Sequence, residues 1–579
     1  MRRLFVAAII GLLWTAVFAL SLFAQSGPGD LPLSPASTIP PFEPPTGATI
    51  TVTTGQDNLA DNGDCTLREA IQAANTDTAV DACPAGNGTD LILLPAGGYG
   101  LSLEGRSEDE NATGDLDIRS SLVISGAGSA GTVIDANQTD RALHILTGTV
   151  EIRGVTVQNG RAADGDATGC GPFLDCPGGD GESGGGIHNS GLSTLFDVVV
   201  QNNRSGDNGG IPYGGGSGGD GGGVMNIGRL EMFEIQVVKN MAGKGNPAGD
   251  GGGIVNTGTL VGHDLILARN GAGISGPIFK GIGLAGSGGG IYNSGTLTVT
   301  KGRIYSNFGR NGVANTENAW VFSSDIHGNA GGVFNRGYFL LSGSSVEDNH
   351  LGSGDSGGGI YNTGTLSLVN STVSNNRSGD GSEQPIWLIL PPIPGGDGAG
   401  IMNWGSLLIE SSTIAYNQTG TGYCRSPDDC SSGSSGGGLA NNGGAVTIHN
   451  SLFAENSVAD GGSGPDCTGI VSSQGPNLIG DPAGCTLAGA DDDIRNQHAF
   501  LGPLTDNGGP TPTHALLPYS PALDAGSCTD ISGAPVLTDQ RGELRPQGAG
   551  CDLGAFESPL STILLPVIRY LPVIQNKPN

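Results

Sequence analysis

Between about residues 180 and 456 the chain repeats one arrangement of apolar and polar positions. An aliphatic residue stands two places before an asparagine, and the phrase recurs eight times: GGGIHNSG (184–191), GGGVMNIG (221–228), GGGIVNTG (251–258), GGGIYNSG (288–295), AGGVFNRG (330–337), GGGIYNTG (357–364), GAGIMNWG (398–405) and GGGLANNG (436–443). Its asparagines are Asn189, Asn226, Asn256, Asn293, Asn335, Asn362, Asn403 and Asn441. A second asparagine follows fourteen places later at Asn203, Asn240, Asn270, Asn307, Asn349, Asn376 and Asn417, and fifteen places later at Asn456. Counted from the first asparagine, position +11 is always aliphatic (Val200, Val237, Leu267, Ile304, Val346, Val373, Ile414). In the first seven units position +4 is Leu or Phe except at Ser193, and +6 is apolar except at Gly262. Spacing of two, with polar residues between, is the period of a strand with one buried face. Polar residues near +7 and +8 mark a corner.

A unit of this kind cannot bury its apolar face alone, but stacked copies can. The expected fold is therefore all-β: a right-handed parallel β-helix, with each strand pairing to its copy in the next coil. A spacing of about 4.8 Å over roughly a dozen coils gives a rod of about 55–60 Å. The first asparagine shares the parity of the inward aliphatic residue, so it belongs inside or at a corner. There its amide can join a ladder along the rod. The glycine triplets allow a sharp turn with positive φ beside that ladder.

Outside the repeat the pattern changes. Residues 1–26 open with Arg2 and Arg3, continue with an apolar run and end in small residues, which reads as a signal peptide or an uncleaved anchor. Residues 27–48 are a Pro-rich linker. In 49–90, "ATITVTT" alternates as a strand and "CTLREAIQAANT" reads as a helix, with Thr66 and Glu69 forming a capping box. The repeats occupy 91–476, a C-terminal module 477–557, and a tail with two "LPVI" segments 558–579. That tail is too short and too broken to span a membrane.

Three stretches carry resemblances. "CTLREA" resembles the CSLREA module of bacterial surface proteins, with Thr66 in place of the usual Ser. The repeats, with "LFAEN" at 452–456, resemble the GGA[I/L] and FxxN repeats of polymorphic outer-membrane proteins. What that implies is a surface β-helix, commonly adhesive, although the sequence departs from that family in that no β-barrel translocator is read in it. "GPLTDNGGPTPTHALLPYSPALDAGSC" and "TDQRGELRPQGAGCDLGAFE" resemble the choice-of-anchor Q module. This implies a terminal module ahead of a surface-attachment signal. A β-helix also needs its last coil covered.

Composition narrows the function. With 25 Lys+Arg against 55 Asp+Glu the formal charge is −30, which argues against nucleic acid or an anionic membrane as partner. The ten cysteines fall into sequence-local couples: Cys65 with Cys83, Cys170 with Cys176, Cys424 with Cys430, Cys467 with Cys485 and Cys528 with Cys551. In an exported chain these are read as five disulfides.

Insertions fall between the second asparagine and the next first one, where the distances are 23, 16, 23, 28, 13, 27 and 24. The long loops thus leave one corner. That ridge is either a binding face for glycans or cell-surface partners, or a corner that merely tolerates insertion. Catalytic constellations are sparse. His263 beside Asp264 reads as a surface residue, and Asp491, Asp492 and Asp493 read as a solvated loop. Asp506, His514, Asp524, Asp539, Arg541, Arg545, Asp552 and Glu557 read as ion pairing within the C-terminal module. No cofactor or resident metal is expected. Adventitious calcium is weighed at "GGSGGDGGG" (215–223) and at Asp57, Asp61 and Asp64. With no carboxylate–base set on one strand face, and only 4 Trp and 10 Tyr, the expected function is non-catalytic binding or display outside the cell. The alternative is a β-helix polysaccharide lyase or glycoside hydrolase.

Overall fold

A computed structural model describes residues 42–559, except 107, 167–177, 210–215, 276–284, 384–391, 427–428, 432–433, 460 and 490. The signal segment, residues 27–41 of the Pro-rich linker and residues 560–579 of the LPVI tail lie outside these residues.

Most coils are three short strands, and in Thr149–Gln158 and Leu192–Gln201 the second and third run on as one. In one three-stranded coil Ile254–Asn256, Thr259–His263 and Ile266–Ala268 succeed one another within fifteen residues. Every strand pairs in parallel, in register, with its copy on either side: Val224↔Ile254↔Ile291, Leu230↔Leu260↔Leu297 and Val237↔Leu267↔Ile304. Fourteen successive pairings on the middle face, from Thr49–Thr51 to Cys485–Gly489, make fifteen rungs. At the usual strand spacing this is about 65–70 Å, longer than the dozen coils expected. The ladder also begins before residue 91 and ends after 476. The chain is a parallel β-helix, and the hand is right because parallel crossovers turn that way.

Besides the glycine triplet, two residues per coil take the left-handed conformation and turn the corners. One precedes the third strand (Asp197, Glu234, Asp264, Lys301) and one precedes the second asparagine (Asn202, Lys239, Arg269, Ser306). Lys and Arg rarely adopt this conformation; here the hydrogen bonds of the neighbouring coils hold them in it. In the glycine triplet only the first residue has positive φ, for example Gly221 at +62°. The second and third are demanded by proximity: a Cβ on Gly222 would lie 2.3 Å from Met241 backbone, and one on Gly223 2.6 Å from the Gly253 carbonyl.

The inward aliphatic rows form one continuous core from Ile50 to Ile479. Both exceptions in the pattern have a cause. Ser193 turns its hydroxyl onto Asn189 Oδ1 at 2.6 Å, so it pairs within the core instead of filling it. At Gly262 a Cβ would meet Leu265 Cδ1 at 2.3 Å, so the large +9 side chain already occupies that space. Toward the C-terminal end the +9 row becomes serine. There Ser324 N–H donates to Ser344 Oγ, Ser344 N–H to Ser371, Ser371 to Ser412 and Ser412 to Ser451, at 3.0–3.2 Å.

One coil was hidden in the sequence. Val313–Asn315 pairs with Ile291–Asn293 and with Val333–Asn335, although "NGVANTEN" has no glycine triplet. Asn329, fourteen residues after Asn315, is its second asparagine. The 28-residue insertion inferred between Asn307 and Asn335 is therefore corrected to a whole coil with short connections of eight and six residues.

The helix Leu67–Thr76 carries the capping box, with Thr66 Oγ1 accepting from the Glu69 N–H. At the other end, the antiparallel strands Leu501–Thr505 and Thr513–Leu516 and the segment to 558 do not simply cover the last coil as expected. They lie along the flank of coils 343–454. Thr511 Oγ1 donates to the Gly343 carbonyl, Thr372 Oγ1 to Gln540, and the Ala555 N–H to Thr413 Oγ1. A small second core, with Leu452, Leu478, Leu501, Leu516, Leu553 and Phe556, seals that contact.

Disulfides join Cys65–Cys83, Cys467–Cys485 and Cys528–Cys551. Cys424 is also disulfide-bonded and stands opposite Cys430 in an antiparallel pair. The fifth bond expected from the sequence, between Cys170 and Cys176, is not among the disulfides described. Cys170 and Cys176 both fall in 167–177, outside the described residues. Among the described residues no helix is long and apolar enough to cross a membrane.

Candidate functional site

Both asparagine series run as buried amide ladders. Asn189 donates to Asn226 at 2.8 Å, and the chain continues through Asn256, Asn293, Asn315, Asn335, Asn362, Asn403 and Asn441 at 2.7–3.0 Å. The second runs from Asn203 through Asn240, Asn270, Asn307, Asn329, Asn349, Asn376 and Asn417 to Asn456 at 2.9–3.1 Å. It ends where Asn456 donates to Asp466 at 2.8 Å. These residues are enclosed by the coils and offer nothing to a ligand.

The other residues singled out in the sequence are also engaged. His263 is not a surface residue: it is 5% exposed and stacks on Phe233 at 5.1 Å, which in turn stacks on Phe196 at 4.9 Å. Asp57 does not join Asp61 and Asp64. It is buried and takes the Arg68 guanidinium at 2.6 and 3.2 Å. Asp220, in the GGxGxD match, accepts the Asp250 N–H at 2.7 Å. Asp491 and Asp492 are exposed, whereas Asp493 accepts from Ser473 and Asn477 in line with the serine ladder. In the C-terminal module Arg545 pairs with Glu557 at 3.2 Å with both side chains fully buried, and Arg541 pairs with Asp539 at 2.7 Å. His514 bridges the Gly502 carbonyl and Ser374 Oγ, both at 2.8 Å. Asp552 accepts the Asp524 and Ser558 N–H groups, and Asp506 caps Gly508. This set builds the module and fixes it to the rod.

The concavity that stands out was not legible in the repeat. Two successive connections are only eight and six residues long between asparagines, while those on either side are 23 and 13. The ridge therefore has a notch, of about 570 Å³, lined by Arg310, Asn311, Phe334, Arg336, Asp355 and Tyr361 among others. Phe334 and Tyr361 are outward neighbours on adjacent rungs, stacked at 5.6 Å. Arg310 and Arg336 are exposed, and neither has an ion-pair partner among the described residues. The notch lies in a locally basic band: between 229 and 336 nine Lys and Arg face six Asp and Glu, net +3 in a chain of −30.

A carboxylate–base set does exist, contrary to the sequence reading. On the outward face of the third strands His327 Nδ1 stands 2.7 Å from Asp325 Oδ2, and Ser345 Oγ donates to Asp325 Oδ1 at 2.9 Å. Glu347 is the register partner of His327 on the next rung. Desolvation, aided by Asp325 and Asp348, pushes its carboxyl up to about 7. The pairing with Asp325 raises His327, against its desolvation. Tyr305 stacks on His327 at 5.0 Å. A protonated carboxyl beside a histidine–carboxylate pair is an arrangement that can donate and accept protons. It escaped the sequence because Asp325 and His327 belong to the hidden coil. Strict counting of fourteen from Asn315 aligns His327 with Glu347.

No protein-family model matches the chain, and no curated protein matches it. Among solved structures, the crystal structure of pectate lyase Pel9A is similar over 87% of this chain and 97% of its own, at 12% identity and a TM-score of 0.33. The A-module of the Azotobacter vinelandii mannuronan C-5 epimerase AlgE6 is similar over 76% and 97%, at 14% identity and a TM-score of 0.26.

Proposed function

We propose that the chain is an exported β-helix that holds an acidic glycan in the notch of its loop ridge without cleaving it. The observation that carries this reading is the notch itself, where two exposed arginines with no ion-pair partner among the described residues stand beside a stacked aromatic pair. Guanidinium groups match carboxylate and sulfate oxygens in pairs, and aromatic faces stack on apolar sugar faces. Disulfides support a life in an oxidising compartment. The second reading, polysaccharide cleavage, is favoured by the Asp325–His327–Glu347 set. It ranks lower because Asp325 and Glu347 are 9% and 8% exposed and Asp325 already serves both His327 and Ser345.

Affinity electrophoresis and calorimetry against polyuronates, sulfated glycans and neutral glycans separate the readings. Retention by the acidic members, weakened at least about tenfold in Arg310→Ala/Arg336→Ala, is the expected result. Release of reducing or unsaturated ends, abolished in His327→Gln, establishes the enzyme instead.

A further inference from the structure

Near the N-terminal end of the rod two rungs bring together residues that no repeat connects. Asp117, in the strand Leu116–Ile118, is the register partner of His144, in Leu143–Ile145. Both side chains leave the outward face, where the loop before Leu116 supplies Asp109. His144 Nδ1 stands 3.3 Å from Asp117 Oδ1 and 3.4 Å from Asp109 Oδ1.

A protonated histidine does not account for these distances. They exceed the 2.7–3.2 Å or so of a good hydrogen bond, and one N–H shared between two oxygens serves each of them only weakly. Neither His144 Nδ1 nor Asp117 Oδ1 has a hydrogen-bond partner, although the Asp117 side chain is 0% exposed and His144 is 9% exposed. Leaving a fully buried carboxylate oxygen unmatched is costly. The cations nearby are committed: Arg119 pairs with Glu110 at 2.6 Å, and Arg141 pairs with Asp115 and Glu182.

We propose that Asp109, Asp117 and His144 bind a borderline divalent cation of the zinc type, tetrahedrally, with the fourth position left to an outside ligand. The edge of a tetrahedron is about 1.63 times its radius, so bonds of about 2.0–2.2 Å to nitrogen and oxygen place the ligand atoms about 3.3–3.6 Å apart. The two edges from His144 Nδ1, 3.3 and 3.4 Å, fall in that range. An imidazole with two carboxylates suits such an ion better than calcium or magnesium, which favour oxygen alone.

The surroundings hold the set in place. Asp117 Oδ2 accepts the Asn111 N–H at 3.0 Å, which orients the carboxylate. Asn111 is itself buried and donates to the Arg68 carbonyl at 2.9 Å, anchoring the loop that carries Asp109. The ring of His188, on the next rung, meets the His144 ring edge-on at 4.9 Å. This site stands apart from the notch and does not depend on its reading.

The test uses the chelator-treated full chain. Calorimetry with zinc should give one equivalent bound. Cobalt should give the intense visible bands of a tetrahedral ion. His144→Gln should abolish stoichiometric binding. Asp109→Asn, at a side chain 61% exposed and therefore harmless to folding, should weaken binding at least about tenfold. His327→Gln, at the other histidine–carboxylate set, should change nothing. The proposal is overturned by absence of stoichiometric zinc or cobalt binding, by binding unchanged in Asp109→Asn and His144→Gln, by loss of binding in His327→Gln, or by a preference for calcium with an octahedral cobalt spectrum.

Discussion

Asn307 donates its side-chain amide to Asn329 Oδ1 at 3.0 Å, and Asn329 donates onward to Asn349 at 3.1 Å. Asn329 also accepts the Asn307 N–H and donates to the Ile304 carbonyl. A single amide thus satisfies buried groups on both coils that flank its own. Asn329→Ala should cost about 3 kcal/mol, because it strands partners that water cannot reach. Asn329→Asp should cost more at neutral pH, since a carboxylate cannot donate to Ile304 or Asn349. Urea melts of the two variants check both the loss and its order.

In the notch, arginines and aromatics should contribute differently. If an acidic glycan is held by Arg310 and Arg336, its affinity should fall steeply between low and physiological salt, and the slope should shrink in the double alanine variant. Phe334→Ala and Tyr361→Ala should each weaken binding by about 1 kcal/mol without changing that slope. Titrations at three ionic strengths distinguish the two contributions.

Glu347 sets a pH dependence. Its folded carboxyl titrates at about 7 against an ordinary 4.5, so the native state holds this proton more tightly than the unfolded chain. Stability should therefore fall as pH rises from about 4.5 to 7, and Glu347 should be a liability above that window. Glu347→Gln should remove this component and raise stability at pH 8 by on the order of 2 kcal/mol, with little change at pH 4. Thermal melts of both proteins across that range test the sign.

The buried Arg545–Glu557 pair holds the flanking module together. Glu557 also accepts the Gln547 and Asp552 N–H groups at 2.9 Å. Glu557→Ala leaves Arg545 charged and enclosed, a loss of about 3–5 kcal/mol. Hydrogen exchange should show 500–558 opening early while the amides of the coils stay protected. Equal loss of protection across the rod would contradict this placement.

The fixed interval of fourteen residues was enough to determine the rod. Strand period, corner positions and two rows of asparagine are local properties, repeated often enough that any stacking which buries Val200, Val237 and Leu267 must bring the amides into line. The helix at Leu67–Thr76 was equally local, because Thr66 and Glu69 satisfy each other within one turn. What the tertiary structure alone decided involves residues with no fixed sequence relation. Asn315 and Asn329 lacked the glycine triplet, so only their pairing with the rungs on each side exposed the coil, and with it Asp325 and His327. His263 looked solvated because its outward position hides the stacking on Phe233. Asp109, Asp117 and His144 meet because two rungs fall into register and one loop folds back over them. The notch, too, is a difference between loops: Arg310 and Arg336 stand in a recess because their coils lack the insertions that their neighbours carry, and a recess exists only once the coils are stacked.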